Sequence, residues 1–228
     1  MLQNFNEIEN YLFYKNHKIK QIAIPPSITK IGWWSFCECP LLRGIAIPST
    51  VTEIVDSAFE GCFDLKKIII PLNVTKISER TFGRCEHIKE IGFLSSEIVI
   101  KRYAFCDCSK LRQITLSYAM TSIESNTFNR CDSLEYIIIP SSVTSIGDNA
   151  FCGCLKLKEL IIPSSVTKIG KYALCLCTSL TQITIPSSVN KMDKFVFYKC
   201  ESLKQVTIPS RFHFADLSIP FNTKVIYT

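Results

Sequence analysis

Twelve cysteines are the residues of this 228-residue chain whose type and spacing first invite chemistry. Eight of them, Cys39, Cys62, Cys85, Cys108, Cys131, Cys154, Cys177 and Cys200, recur every 23 residues, and the other four, Cys37, Cys106, Cys152 and Cys175, each stand two residues before one of these. Sulfur in such numbers serves zinc binding, disulfides or electron exchange. Cys152, Cys154, Cys175 and Cys177 offer four sulfurs from adjacent units, but in a Cys-x-Cys spacing, whereas zinc sites commonly use Cys-x-x-Cys. Stacked parallel units would hold column neighbours ~4.8 Å apart, wider than the ~3.8 Å between the Cβ atoms of a disulfide. The spacing favours a structural use, in which a small, polarisable side chain fills a tight inward corner. Neither a metal nor another cofactor is expected.

The other reactive residue types are dispersed. His17, His87 and His213 fall in different columns of the pattern and make no pair at metal-ligand spacing, and no nucleophile elbow, phosphate loop or acidic dyad accompanies them. The repeated Pro-Ser-Ser-Val serines recur with the unit, whereas a catalytic serine is singular. Asn73-Val74-Thr75 matches a glycosylation sequon, a tripeptide of low specificity. The chain reads as a non-enzyme with no small-molecule substrate.

What must position these side chains is a repeat. Ile24, Ile47, Ile70, Phe93, Leu116, Ile139, Ile162, Ile185 and Ile208 follow one another at intervals of 23 without insertion or deletion. Phe36, Phe59, Phe82, Phe105, Phe128, Phe151, Leu174 and Phe197 keep the same step, as do Leu42 to Leu203 and Ile45 to Val206. The unit is C-x-x-L-x-x-I-x-I-P-x-S-V-T-x-I-G-x-x-A-F-x-x-C. A fixed period of 20 to 50 residues marks a solenoid, each unit burying its apolar side against its neighbours. Ile-x-Ile-Pro alternates in and out and ends where proline removes the donor, so it predicts a short strand. Val-Thr-x-Ile predicts a second wall with a shorter strand, and Gly-x-x-Ala-Phe-x-x-Cys a compact return in which Ala58, Ala104, Ala150 and Ala173 admit a tight turn.

Taken together, the phenylalanine, leucine and cysteine columns and the Ile-Pro steps resemble the BspA-like, Treponema-type leucine-rich repeats. The resemblance implies a repeat solenoid: a curved right-handed coil with a parallel β-sheet on its concave wall. Residues 1–23 read as an N-terminal capping turn with Asn16 at the cysteine position, 24–209 as eight repeats, and 210–228 as a C-terminal cap, all in one continuous domain. Phe212, Phe214, Leu217 and Val225 are candidates to cover the last edge. Unit four departs from the pattern: "FLSSEIVIK" (93–101) replaces Ile-Pro-x-x-Val-Thr, and Ser117 replaces a proline, so the backbone should deviate there.

Composition sets the outer bounds. The chain is 47% hydrophobic and 20% charged, enough to bury a core, and its longest apolar runs fall far short of the ~20 residues of a membrane helix. The opening "MLQNFNEIENYLFYKNHKIK" lacks the basic start and unbroken apolar stretch of a secretory signal, so the expectation is a cytoplasmic protein with reduced thiols; the alternative is a cell surface reached by another route. A net charge of +6 is mild, and no aromatic interleaving or base-reading module supports nucleic-acid binding.

Binding residues are sought among side chains that the strand alternation turns outward. The position between the two inward isoleucines is mostly Ala, Gly or Thr but holds Ile69, Ile138 and Ile161, and the preceding column holds Lys67, Tyr136 and Glu159. Tyr136, Ile138 and Ile161 form an apolar patch on adjoining turns, read either as a contact site or as cross-strand pairs that stabilise the sheet. One residue earlier, Lys20, Arg43, Lys66, Lys89, Arg112, Lys158 and Lys204 place seven cations among nine positions, a self-repelling row that an acidic partner or an anionic membrane surface would relieve. Trp33 and Trp34 occupy columns otherwise polar; they either pack on the cap near Tyr11 and Phe13 or stand out as an aromatic anchor. Leucine-rich repeat proteins inside cells often inhibit or regulate enzymes such as phosphatases, and BspA-like relatives are often surface adhesins. The resemblance therefore implies a protein-binding scaffold, in one role or the other.

Overall fold

The computed structural model describes residues 5–213 and 215–228, so the candidate cap residue Phe214 lies outside the described residues. The chain winds as a solenoid with one turn per 23 residues, because each unit can hide its isoleucine, leucine and phenylalanine columns only against the same columns of its neighbours. Sixteen short strands, β1–β16 in chain order, form two walls among the described residues. The front wall holds β2 (Gln21–Ala23), β4 (Gly44–Ala46), β6 (Lys67–Ile70), β8 (Glu90–Phe93), β13 (Gln182–Thr184), β15 (Gln205–Ile208) and β16 (Lys224–Tyr227). The second wall holds two-residue strands: β1 (Glu7–Ile8), β3 (Lys30–Ile31), β5 (Glu53–Ile54), β7 (Lys76–Ile77), β9 (Val99–Ile100), β10 (Ser122–Ile123), β11 (Ser145–Ile146), β12 (Lys168–Ile169) and β14 (Lys191–Met192).

All pairing is parallel and in column register, as Ile68↔Ile91 and Ile146↔Ile169 illustrate. The last rung is shorter: Gln205 pairs with Lys224, 19 residues on, after a 3-10 turn at Ser210–Phe212. Phe212 and Leu217 are buried there, and Val225 packs partly against the core. At the other end Phe13 stacks on Phe36, and Asn16 Oδ1 accepts the N–H groups of Lys18 and Ile19.

The third wall is the return, and it is the most regular. Phenylalanine rings from Phe13 to Phe151 stack at 5.0–5.8 Å between centroids and within 2–16° of parallel, spacings wide enough for the offset packing that aromatic quadrupoles prefer. Every column cysteine is fully buried, and its thiol donates to the carbonyl of the residue 26 positions earlier, from Cys39 Sγ to Phe13 O at 3.0 Å through Cys200 Sγ to Leu174 O at 3.0 Å. Here the inward-corner expectation gains a specific bond.

Two residues of each return turn are left-handed: the column of Trp34, Ser57, Arg80, Tyr103, Asn126 and Asn149, and the column of Glu38, Gly61, Arg84, Asp107, Arg130 and Gly153. For a residue with a Cβ this conformation costs about 1–2 kcal/mol. Inter-turn bonds from the same residues offset it, such as Arg84 N–H to Cys106 O and Arg130 N–H to Cys152 O, both at 2.7 Å.

The front wall differs from the unbroken sheet that the rhythm predicts. It falls into the pieces β2-β4, β6-β8 and β13-β15-β16, and residues 113–116, 136–139 and 159–162 between them form no strand. The sequence departures lie at the widest break. Gly92 in β8 carries no side chain to pair across the wall, and Leu94 and Ser117 stand where proline ends the strand in other units.

Candidate functional site

On the front wall the alternation turns every second residue outward. Ile68 and Ile70 are buried while Ile69 between them is 50% exposed, and likewise Ile138 and Ile161 are 79% and 71% exposed between buried neighbours. Tyr136 is 56% exposed, and its hydroxyl donates to Gln113 Oε1 on the preceding turn.

The break between β8 and residues 113–116 opens a groove of about 520 Å³, within the usual size of ligand pockets. Gly92 and Thr115 lie on its floor, Tyr118, Tyr136 and Ile138 on one side, Lys67 and Glu90 on the other. The core shows through: Ile91 and Phe93 are half-buried, whereas the corresponding Ile68 and Ile70 of β6 are 0–1% exposed. The return wall stays closed across the same turns, with Phe82 and Phe105 rings 5.8 Å apart and Phe82 N–H bonded to Ala104 O at 3.0 Å. The opening is therefore a wedge hinged on the return side.

The structure brings together some of the sequence candidates. Tyr136, Ile138 and Lys67 line the groove. Ile161 lies one turn beyond Ile138, and Ile69 faces Gly92 in register on the other flank. Lys67 is held by Glu90 at 3.0 Å, and Arg43 pairs with Asp64 at 3.3 Å. Lys66, Lys89 and Arg112, exposed along the start of the front segments, have no ion pair among the described residues, and neither does Glu159. The two tryptophans divide between the two readings. Trp34 packs on Tyr11 and Tyr14 of the first turn at 5.4 and 5.7 Å, while Trp33 is 54% exposed, its backbone N–H bonded to Asn10 Oδ1.

Sequence reasoning missed Tyr118, 77% exposed, and Leu94, 62% exposed. Both signals were present: Tyr118 occupies a loop column otherwise mostly serine, and Leu94 the strand-ending proline position, within the stretch flagged only for backbone deviation.

The cysteines are chemically quiet. Burial pushes the thiols up: Cys200 to about 12, Cys37, Cys106 and Cys175 to about 12, and Cys108 and Cys131 well above the ordinary range. A thiol held protonated is neither nucleophile nor metal ligand. Of the Cys152, Cys154, Cys175 and Cys177 set, Cys154 and Cys177 point inward onto the carbonyls of Phe128 and Phe151, away from the outer pair. Among the described residues no three His, Cys, Asp or Glu side chains converge to hold a metal, and no helix is long and apolar enough to cross a membrane.

The profile of the BspA type leucine-rich repeat region matches residues 6–116 and 98–219, in six copies. Among solved structures, the chain is similar to a leucine-rich repeat protein from Bacteroides ovatus ATCC 8483, 23% identical over 97% of this chain and 81% of that one, with a TM-score of 0.59. It is also similar to one from Eubacterium ventriosum ATCC 27560, 20% identical over 96% and 70%, with a TM-score of 0.55. At these identities the likeness carries the fold alone. No curated protein matches the chain.

Proposed function

The chain belongs to the BspA type leucine-rich repeat family, and from that premise we propose that it is a non-enzymatic scaffold that binds another protein on the front wall. The observation that carries this reading is the groove where the sheet breaks: exposed Tyr118, Tyr136 and Ile138 surround half-buried core side chains, beside Lys89 and Arg112, which have no ion pair among the described residues. A contiguous apolar patch with a polar rim is the form of a protein contact site, and tyrosine is a preferred anchor. An acidic partner would relieve the repulsion among Lys66, Lys89 and Arg112. Twelve free thiols suit a reducing compartment, which favours an intracellular regulator or inhibitor of an enzyme over a surface adhesin.

The test is affinity capture from lysate of the source cells with the wild type, the double variant Tyr136→Ala/Ile138→Glu, and Trp33→Ser as a control on a remote exposed aromatic. A partner retained by wild type and Trp33→Ser but lost by the double variant is expected. An unchanged set of partners with the double variant overturns the reading, provided its thermal unfolding matches wild type, as substitution of exposed side chains predicts.

A further inference from the structure

The groove is bordered by a strand edge as well as by side chains. β8 pairs with β6 along one side, from Lys67↔Glu90 to Ile70↔Phe93, while among the described residues no backbone hydrogen bond joins its other side to residues 113–116. The N–H and C=O groups of that edge face the wedge, and an unpaired edge is a template for another chain. Gly92 sits in the middle of it. A Cβ built there meets nothing nearer than Ile69 Cγ1 at 3.6 Å, so the groove side is unobstructed, and a glycine inside a strand marks a place where a second backbone can approach. On the far side Tyr118, Tyr136 and Ile138 offer an apolar wall. At the end where the front segments begin, Lys89 and Arg112 share a depression with Glu90 and Glu135, and because Glu90 is already held by Lys67 at 3.0 Å, two cations there face the one carboxylate of Glu135.

We infer that this wedge binds an extended acidic peptide segment by strand addition to the free edge of β8. The peptide's apolar side chains meet Tyr118, Tyr136 and Ile138, and its carboxylates lie over Lys89 and Arg112. The inference rests on the front-wall reading above and deepens it by naming the partner's conformation and charge. In strand addition main-chain bonds supply affinity and alternate side chains supply selectivity, and a wedge with one open edge and one apolar wall meets both needs.

The probe is a nine-residue dye-labelled peptide with valine and threonine alternating about one phenylalanine and two glutamates at each end, followed by fluorescence anisotropy. It is compared with a lysine-ended copy and with a copy whose alternate backbone amides are N-methylated. The acidic probe is expected to bind the full chain, and the lysine-ended and N-methylated copies at least about tenfold more weakly, a difference of about 1.4 kcal/mol. Gly92→Ile should weaken the acidic probe by a similar factor without lowering the melting temperature, and amide exchange at Glu90–Phe93 should slow on binding.

Equal binding of the N-methylated copy overturns strand addition, and equal binding of the lysine-ended copy overturns the acidic preference. No binding of the acidic probe up to about 1 mM overturns the inference as a whole. None of these results touches the capture experiment, so loss of partners by Tyr136→Ala/Ile138→Glu alongside equal binding of the N-methylated copy leaves the front-wall reading standing and removes only this one.

Discussion

The return wall and the front wall are built from the same eight repeats and behave differently. On the return wall each turn is tied to the next by a thiol-to-carbonyl bond and by main-chain bonds such as Phe105 N–H to Thr127 O at 3.0 Å, and from Phe13 to Phe151 by stacked rings as well. On the front wall the ladder lapses over residues 113–116, 136–139 and 159–162. The difference lies in where each wall keeps its information. The inward phenylalanine and cysteine columns of the return wall hardly change from unit to unit, whereas every second front-wall residue faces water and varies freely. Rigidity concentrated on one side allows the opposite side to open without unfolding the coil.

Alkaline pH should break this comparison most severely. In the unfolded chain a thiol ionises near 9.0, while buried Cys62, Cys108, Cys131 and Cys177 are held well above that value and Cys200 at about 12. The unfolded state then binds fewer protons, so the stability present below pH 9 falls as pH rises toward 12. Each pH unit removes about 1.4 kcal/mol for each fully buried thiol, and several acting together reach the about 5–15 kcal/mol of a typical domain. Urea midpoints should be level from pH 6 to 8 and collapse between pH 9 and 11. A flat profile to pH 11 would contradict buried thiols in the return wall.

Next in size, Phe105→Ala should cost about 3–5 kcal/mol by interrupting the ring stack, while Ile138→Ala on the front wall should stay within about 0.5 kcal/mol. Equal losses in denaturant titrations would erase the distinction between the walls. Cys131→Ala removes the thiol bond to the Phe105 carbonyl, which keeps the Cys108 N–H, and opens a small void, for a loss of about 1 kcal/mol. The smallest effect sharpens the contrast instead. Gly92→Thr puts a strand-forming side chain where glycine weakens the wall, and should stabilise by up to about 1 kcal/mol with slower amide exchange at residues 90–93. Faster exchange there would mean that glycine is not what loosens the seam.

Much of the fold is legible in the sequence. The inward columns, the short strands ending at proline and the Asn16 turn follow from a period that cannot slip without exposing every isoleucine at once. The left-handed residues were not legible. Among the named members of the two columns Gly61 and Gly153 carry the usual signature and Asn126, Asn149 and Asp107 a weaker one; Arg80, Tyr103 and Arg130 adopt the same conformation because bonds to the next turn impose it. Tyr136 and Ile138 were found from alternation, whereas Tyr118 and Leu94 stood in loop columns where alternation says nothing.

Thus the chain's own order of residues determined that it coils, with what period, and which side chains face the core, since burial repeats with the period and needs only neighbours of the same kind. Tertiary structure alone decided that the groove gathers Tyr118 with Tyr136 and Ile138, and that Lys67 is held by Glu90 while Lys89 and Arg112 have no ion pair among the described residues. Those outcomes depend on distances between turns, and a distance across turns is set by the packing of all three walls together.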